Sequence, residues 1–263
     1  MQKEAKMLEL TRFGEGSRRK LLIAHGLFGS ARNWGAIAKS LSATFEVVVV
    51  DMRNHGQSFH SDDMDYSAMA GDLAEVIQAE GGRMSVLGHS MGGKAAMMLA
   101  LTAPQMVERL VVGDIAPVSY GHSHMEHIDA MQGLDLSKVT RRSDADRALA
   151  EVVSDRGVRA FLLQSLDISG GQARWRLNLP VLRANMQTFV SFPQVEGTFE
   201  GPTLFLGGAQ SEYITAEGRR AIQRHFPGAH VVMLKNAGHW LHADQPEAFT
   251  KTVSAFLNVR EDG

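Results

Sequence analysis

GHSMGG, at residues 88–93, is the stretch of the chain that decides its fold. It follows a short apolar run, Arg83–Leu87, and precedes a segment rich in small residues, Lys94–Thr102. This order predicts a strand, a tight turn and a helix, which is the setting of a G-x-S-x-G nucleophile elbow. Glycine suits positions 88 and 92, because a side chain there would collide with the neighbouring strand or helix. Ser90 is the candidate nucleophile; the alternative is an inert serine in a glycine-rich turn.

Strand-like and helix-like segments alternate on both sides of this stretch. Phe45–Val50 has the composition of a strand buried on both faces, and Tyr66–Glu80 carries apolar residues at helical spacing. A strand, a helix, a strand and a helix follow again between Pro202 and Leu257. This alternation predicts an α/β fold with a mostly parallel central sheet flanked by helices.

The middle of the chain interrupts the alternation. From about Pro117 to Phe199, helical patterns dominate and no clear strand run appears. We interpret this stretch as a helical cap inserted into a core domain. The predicted division is a core of residues 1–117 and 200–263 and a cap of residues 118–199.

The composition excludes several classes of protein. The 263 residues carry 27 Lys and Arg against 29 Asp and Glu, so the net charge of −2 offers no basic excess for binding nucleic acid. The chain has no cysteine, which excludes disulfides, a thiolate nucleophile and Cys-ligated zinc. The charged N-terminal stretch lacks the apolar core of a signal peptide, and no apolar run is long enough to cross a bilayer. We therefore expect a cytoplasmic protein without a membrane span.

A nucleophilic serine needs backbone donors for the negative charge that develops on the substrate, and one donor should lie in the loop after an early strand. The sequence offers HGLFGS at residues 25–30, directly after the apolar run at residues 21–24. The N–H groups of Leu27 and Met91 are the predicted oxyanion hole. His25 itself is expected to be structural.

The general base of such a site should be a histidine, and position must choose among the 11 in the chain. His239 comes just after the last predicted strand, at the carboxyl edge of the sheet, where open α/β sheets place their sites. It also follows the nucleophile and the acid in the expected chain order. His239 is the predicted base, and His242 is its main rival.

The position of the acid is less regular. The loop after the strand Pro202–Gly207 is the usual place, but Ser211 stands where an aspartate is expected, with Glu212 next to it. Asp114 follows the preceding strand, close to the strand of the nucleophile. We favour Asp114 over Glu212 as the group that orients His239.

Five segments, taken together, are similar to those of one family. In chain order they are HGLFGS with NW (25–34), DMRNHGQS (51–58), GHSMGG (88–93), GDIAPV (113–118) and NAGHWLHAD (236–244). They resemble α/β-hydrolase esterases of the bacterial YbfF type and their relatives among the mitochondrial abhydrolase-domain proteins. In that family the acid is the aspartate of the fourth segment, which supports Asp114. The resemblance implies an α/β-hydrolase fold and hydrolysis of carboxylic esters or thioesters with small to medium acyl chains, without a metal or organic cofactor.

The implied reaction passes through an acyl-enzyme on Ser90. Phe28, beside the oxyanion loop, and Trp240, next to the base, are candidates for the walls of a substrate pocket, although both could equally be core aromatics. The expected partner is a small ester or thioester, and the oligomeric state is left open.

Two other functions remain open on the sequence alone. One is another triad enzyme on the same fold, such as a C–C bond hydrolase, a lyase-type synthase or a perhydrolase. The other is a ligand-binding protein with little turnover. His122, His124 and His127 have a spacing that suits a metal, but no carboxylate or cysteine set completes a site, so we expect no metal.

Overall fold

The computed structural model describes residues 6–16, 19–121 and 123–259. The strands within these residues are β1 (Leu10–Phe13), β2 (Lys20–Ala24), β3 (Glu46–Val50), β4 (Met84–His89), β5 (Val107–Gly113), β6 (Leu166–Asp167), β7 (Arg174–Trp175), β8 (Thr203–Gly208) and β9 (His230–Leu234). Seven of these form one sheet in the order β1-β3-β2-β4-β5-β8-β9. β1 runs antiparallel to β3 and the other neighbours are parallel, which confirms the predicted mostly parallel sheet.

The helices complete the fold. They are α1 (Gly35–Leu41), α2 (Tyr66–Ala79), α3 (Met91–Thr102), α4 (Met125–Gly133), α5 (Arg142–Leu149), α6 (Arg156–Leu162), α7 (Leu179–Ala184), α8 (Met186–Val190), α9 (Ala216–His225), α10 (Leu241–Asp244) and α11 (Pro246–Asn258). Short 3-10 turns cover Ala31–Trp34, Pro104–Met106, Leu136–Lys138 and Leu163–Ser165. None of the helices in the described ranges has the length and apolar character needed to cross a membrane.

The valine run of β3 shows how the sheet separates two apolar layers. Val47 and Val49 pack on one face with residues of α1 and α11, and Val48 and Val50 pack on the other with residues of α2 and α3. All four valines are fully buried. A strand covered by helices on both faces has no need of polar residues, which is why the run is continuous rather than alternating.

The described residues between β5 and β8 add no strand to the central sheet. They form α4 to α8 and a two-stranded hairpin of β6 and β7. The hairpin departs from the helical pattern predicted for this stretch, because strands of two residues are too short to show an alternating pattern. A small apolar cluster belongs to this segment alone and consists of Val139, Ala145, Leu149, Leu163, Leu166 and Ala173.

Backbone hydrogen bonds attach the inserted segment to the turn that follows β3. Gly56 donates its N–H to the carbonyl of Arg176 over 2.8 Å, and Asn178 donates its N–H to the carbonyl of Asn54 over 3.0 Å. The side-chain amide of Asn178 also donates to Oδ1 of Asn54 over 3.0 Å. The start of α7 is therefore fixed against the segment DMRNHGQS.

Candidate active site

The serine of GHSMGG occupies a turn of a single residue. Ser90 alone separates β4 from α3, with φ of 52° and ψ of −117°. This backbone conformation is sparsely populated and is typical of functional sites. A β-carbon on Gly88 would lie 2.2 Å from the carbonyl oxygen of Gly92, and one on Gly92 would lie 2.4 Å from that of Ala24. The close approach of the backbones explains why both positions are glycine.

A line of hydrogen bonds runs from this serine into the protein. Nε2 of His239 lies 3.1 Å from Oγ of Ser90, and Nδ1 of the same ring lies 2.8 Å from Oδ2 of Asp114. Because the carboxylate accepts the Nδ1–H, the lone pair of a neutral ring is on Nε2, facing the serine hydroxyl. The structure thus brings together the three residues that the sequence suggested as nucleophile, base and acid.

Asp114 is fully buried just after β5, with φ of 47°. Its Oδ1 accepts the N–H of Gly208 over 2.9 Å, and its Oδ2 accepts the hydroxyl of Ser211 over 2.5 Å. These bonds hold the carboxylate in one orientation toward His239. From the sequence, Ser211 was only the residue that stands in place of an expected aspartate, and its hydrogen bond to Asp114 was not predicted. Glu212, the rival acid, is exposed.

The ring of His239 is also held from other directions. Tyr213 stacks on it, with ring centroids 4.1 Å apart and planes 23° from parallel. His89 donates its Nε2–H to the backbone carbonyl of His239 over 2.8 Å. The rival base, His242, stacks instead on Trp34 at 4.2 Å, and burial lowers its pKa to about 3. In the described part of the chain, His239 is the histidine that reaches the hydroxyl of Ser90.

Two buried histidines brace the loop HGLFGS as neutral rings. His25 accepts the N–H of Met52 on Nε2 over 2.9 Å, and His55 accepts the N–H of Phe28 on Nε2 over 3.2 Å. Each ring donates its Nδ1–H to a backbone carbonyl. Burial lowers the pKa of His25 to about 4 and that of His55 to about 3. Both rings therefore keep one donor and one acceptor at neutral pH.

The loop and the serine turn place two backbone donors beside the site. Among the hydrogen bonds of the described residues, neither the N–H of Leu27 nor that of Met91 has an acceptor. A β-carbon on Gly26 would lie 3.1 Å from Cβ of Ser90, so the loop passes directly against the serine. This arrangement leaves Leu27 and Met91 N–H available to an oxyanion.

Two cavities meet at Ser90. We call the larger, of about 180 Å³, the outer cavity and the smaller, of about 20 Å³, the inner cavity. Phe28 and Trp240 both line the outer cavity, as candidate pocket walls should. Further apolar residues of its wall come from α6: Val158, Phe161 and Leu162.

The histidines of the inserted segment also line the outer cavity. His124 and His127 face it, and burial lowers the pKa of His127. His122 lies outside the described residues. Among the described residues, no group of three His, Cys, Asp or Glu side chains is placed to hold a metal ion.

Comparison with known proteins gives the class of the molecule. A model of the alpha/beta hydrolase family matches residues 21–252. The chain belongs to this family, and the α/β-hydrolase fold predicted from the sequence is confirmed.

Its relatives narrow the activity. The chain is 42% identical over 253 residues to the sn-1-specific diacylglycerol lipase ABHD11 of Danio rerio, covering 93% of this chain and 80% of the relative. It is 35% identical over 240 residues to the esterase YbfF of Escherichia coli K12, covering 90% and 92% of the two chains. A solved marine microorganism esterase matches with a TM-score of 0.92 and 36% identity, covering 96% of this chain and all of the other. These similarities confirm the resemblance found in the sequence and identify the chain as a carboxylic ester hydrolase.

Proposed function

We propose that the protein is a serine esterase in which Ser90 is the nucleophile, His239 the general base and Asp114 the acid. The observation that carries the proposal is the continuous line of hydrogen bonds from the buried carboxylate through the imidazole to the serine hydroxyl. Nucleophile, base and orienting acid within hydrogen-bond reach of one another are the requirements of this chemistry.

In the proposed first step, Oγ of Ser90 attacks the acyl carbon while Nε2 of His239 takes its proton. The oxyanion of the tetrahedral intermediate accepts hydrogen bonds from the N–H groups of Leu27 and Met91. The protonated imidazole is stabilised by Asp114 and then gives its proton to the leaving alcohol or thiol. The products of this step are the acyl-enzyme and the released leaving group.

In the second step, water takes the place of the leaving group. His239 removes a proton from the water as its oxygen attacks the acyl carbon, and the same two N–H groups bind the new oxyanion. Collapse of the intermediate returns the proton to Ser90 and frees the carboxylic acid.

We further propose that residues 118–199 act as a cap over this site. The support is that α6 supplies Val158, Phe161 and Leu162 to the wall of the outer cavity, which residues of the core also line. Phe161 also packs on Trp240, with ring centroids 5.1 Å apart. An apolar lid of this kind excludes water from the bond that reacts.

The test is hydrolysis of p-nitrophenyl esters by the wild-type chain and three variants. Ser90→Ala should abolish the covalent route, and Asp114→Asn should lower kcat by about 10⁴-fold because the imidazole loses its orienting partner. Glu212→Gln is the matched control, since it removes a nearby exposed carboxylate, and its kcat should stay close to wild type. Comparable losses from Asp114→Asn and Glu212→Gln would contradict the assignment of the acid.

A fluorophosphonate probe gives a second measurement that does not depend on the choice of ester. Intact-mass analysis should show one adduct on the wild type and none on Ser90→Ala. Labelling of Ser90→Ala at the wild-type rate would overturn Ser90 as the nucleophile. Labelling of the wild type without turnover of any ester would favour another triad reaction on the same fold.

A further inference from the structure

The two cavities that meet at Ser90 differ in the groups that line them. Leu27, Ser90, His124 and Tyr213 are common to both. His239 lines the outer cavity and Met91 the inner one. The proposed base therefore lines the outer cavity alone, and the proposed second oxyanion donor lines the inner cavity alone.

The chemistry of the tetrahedral intermediate fixes which part of an ester occupies each compartment. Its carbon carries Oγ of Ser90, the oxyanion, the leaving group and the acyl substituent. The leaving group must lie beside Nε2 of His239, because that nitrogen protonates it, and this places it in the outer cavity. The oxyanion lies between the N–H groups of Leu27 and Met91. The acyl substituent is then left to the inner cavity, the other cavity that Ser90 lines.

We propose that the inner cavity is the acyl pocket and that it selects esters of short, uncharged acyl groups, such as acetyl and propionyl, while the outer cavity accepts a larger apolar alcohol or thiol portion. This inference rests on the proposed role of Ser90. A cavity of about 20 Å³ has room for the centres of only about one or two heavy atoms beyond the carbonyl carbon. The outer cavity, at about 180 Å³, has space for a much longer group.

Lys94 forms part of the wall of the inner cavity. It lies one helical turn after Ser90, and its side chain is 1% exposed. Its Nζ donates to the backbone carbonyls of Phe189, Val190 and Ser191 over 3.2, 3.2 and 2.6 Å. When the amine is protonated, its three hydrogens are all engaged by these carbonyls, so the group fixes the wall rather than offering a charge to a ligand.

Apolar side chains form much of the remaining wall. Phe189 and Val190, both buried, line the inner cavity together with Ile115. The hydroxyl of Tyr66 also donates to the carbonyl of Phe189, over 3.0 Å. The wall is held through its backbone, so a longer acyl chain cannot displace it without breaking several buried hydrogen bonds.

The decisive measurement compares two isomeric esters, hexyl acetate and ethyl hexanoate, with the wild-type chain. They have the same molecular formula and differ in which side of the ester carries the long chain. We expect kcat/KM for hexyl acetate to be higher by at least about tenfold, since each methylene that does not fit a pocket costs a factor of this order. Equal values, or a preference for ethyl hexanoate, would overturn the assignment of the pockets.

Two matched variants locate the preference within the structure. Phe189→Ala enlarges the inner cavity and should raise kcat/KM of ethyl hexanoate relative to ethyl acetate by about tenfold or more. Phe161→Ala enlarges the outer cavity and should change both ethyl esters alike, because they share the same alcohol portion. Phe189→Leu serves as a milder change if the alanine variant does not fold. If Phe161→Ala raises kcat/KM of ethyl hexanoate relative to ethyl acetate and the Phe189 variants do not, the inner cavity is not the acyl pocket.

Failure of the pocket assignment is distinguishable from failure of the proposed function. Active-site labelling with a fluorophosphonate, absent in Ser90→Ala, reports on the nucleophile alone. If the enzyme is labelled but prefers ethyl hexanoate, Ser90 stands as the nucleophile and the assignment of the pockets is wrong. If the enzyme is not labelled and hydrolyses neither ester, the proposed function is wrong, and the assignment of the pockets, which depends on it, is wrong as well.

Discussion

Lys94 places a titratable amine in the apolar interior, in the wall of the inner cavity. Its ammonium lies 4.9 Å from the ring centroid of Tyr120 and 5.7 Å from that of Tyr66, in addition to its bonds with backbone carbonyls. Dipoles and aromatic faces offset only part of the cost of removing the charge from water. Burial accordingly lowers the pKa of Lys94 to about 7.

The low pKa of Lys94 predicts how the free energy of unfolding depends on pH. Above about pH 7 the unfolded chain holds a proton on residue 94 that the folded chain has released, up to the ordinary lysine pKa of 10.5. The free energy of unfolding should therefore rise with pH across this window. Lys94→Met lacks this contribution, which we expect to be on the order of a few kcal/mol.

Urea denaturation at several pH values across the window measures the difference. Lys39→Met, which removes an exposed lysine of α1, is the control and should follow the wild type. If Lys94→Met shows the same pH dependence as wild type and control, the proton on residue 94 does not distinguish the folded from the unfolded chain.

At the scale of elements, the turn between β4 and α3 depends on contacts between backbones. The carbonyls of Ala24 and His25 lie against Gly92, where a β-carbon would approach them to 2.4 and 2.5 Å. Strand, turn and helix can therefore meet only if this residue has no side chain. The position of Ser90 above the sheet follows from this packing.

Gly92→Ala should consequently lower the melting temperature by many degrees or prevent folding, because β2 or α3 must move to make room. Gly71→Ala is the matched control, since Gly71 lies inside α2 and a β-carbon there meets no atom within 4 Å. The control should be more stable by about 0.5–1 kcal/mol, the ordinary gain from alanine in a helix. Thermal unfolding of both variants tests the contrast, and a stable Gly92→Ala would contradict it.

The elements also show what the sequence could predict. The G-x-S-x-G turn and the valine run of β3 are recognisable from residues that are adjacent in the chain. The parallel sheet and the α/β-hydrolase fold could therefore be predicted from them. The contact between Ser211 and Asp114 joins residues far apart in the chain, and no local pattern reports it. The two-residue strands of the β6–β7 hairpin are below the length at which periodicity is visible. The roles of Ser90, His239 and Asp114 remain predictions, although their side chains meet.

At the scale of the whole molecule, the chain has a large core around the sheet and a small separate one in the inserted segment. The sheet carries apolar layers on both faces, whereas the buried apolar residues of α5, Ala145 and Leu149, belong to the small cluster that also includes Leu166. Few buried apolar contacts mean a low free energy of local opening. The part of the inserted segment around α5 and the β6–β7 hairpin should therefore open more easily than the core.

Hydrogen–deuterium exchange followed by mass spectrometry tests this expectation. Amides of α5 and of the β6–β7 hairpin should exchange several-fold faster than those of β3 and β4, which lie inside the sheet. Covalent capture of Ser90 by a fluorophosphonate should slow exchange in α6, whose side chains line the outer cavity. Uniform protection across the chain would show that the two cores open as one unit.

The hydrogen bonds between Lys94 and residues 189–191 have a consequence for how such an enzyme can diversify. The groups proposed to break the ester come from the ends of β4 and β5 and from the residues after β9. The side chains of Phe161, Phe189 and Val190, which line the two cavities, come from the inserted segment. Because Lys94 holds that segment by its main chain, the side chains at 189 and 190 can vary while the attachment persists. Point substitutions at the end of α8 can therefore change the substrate preference while Ser90, Asp114 and His239 stay the same.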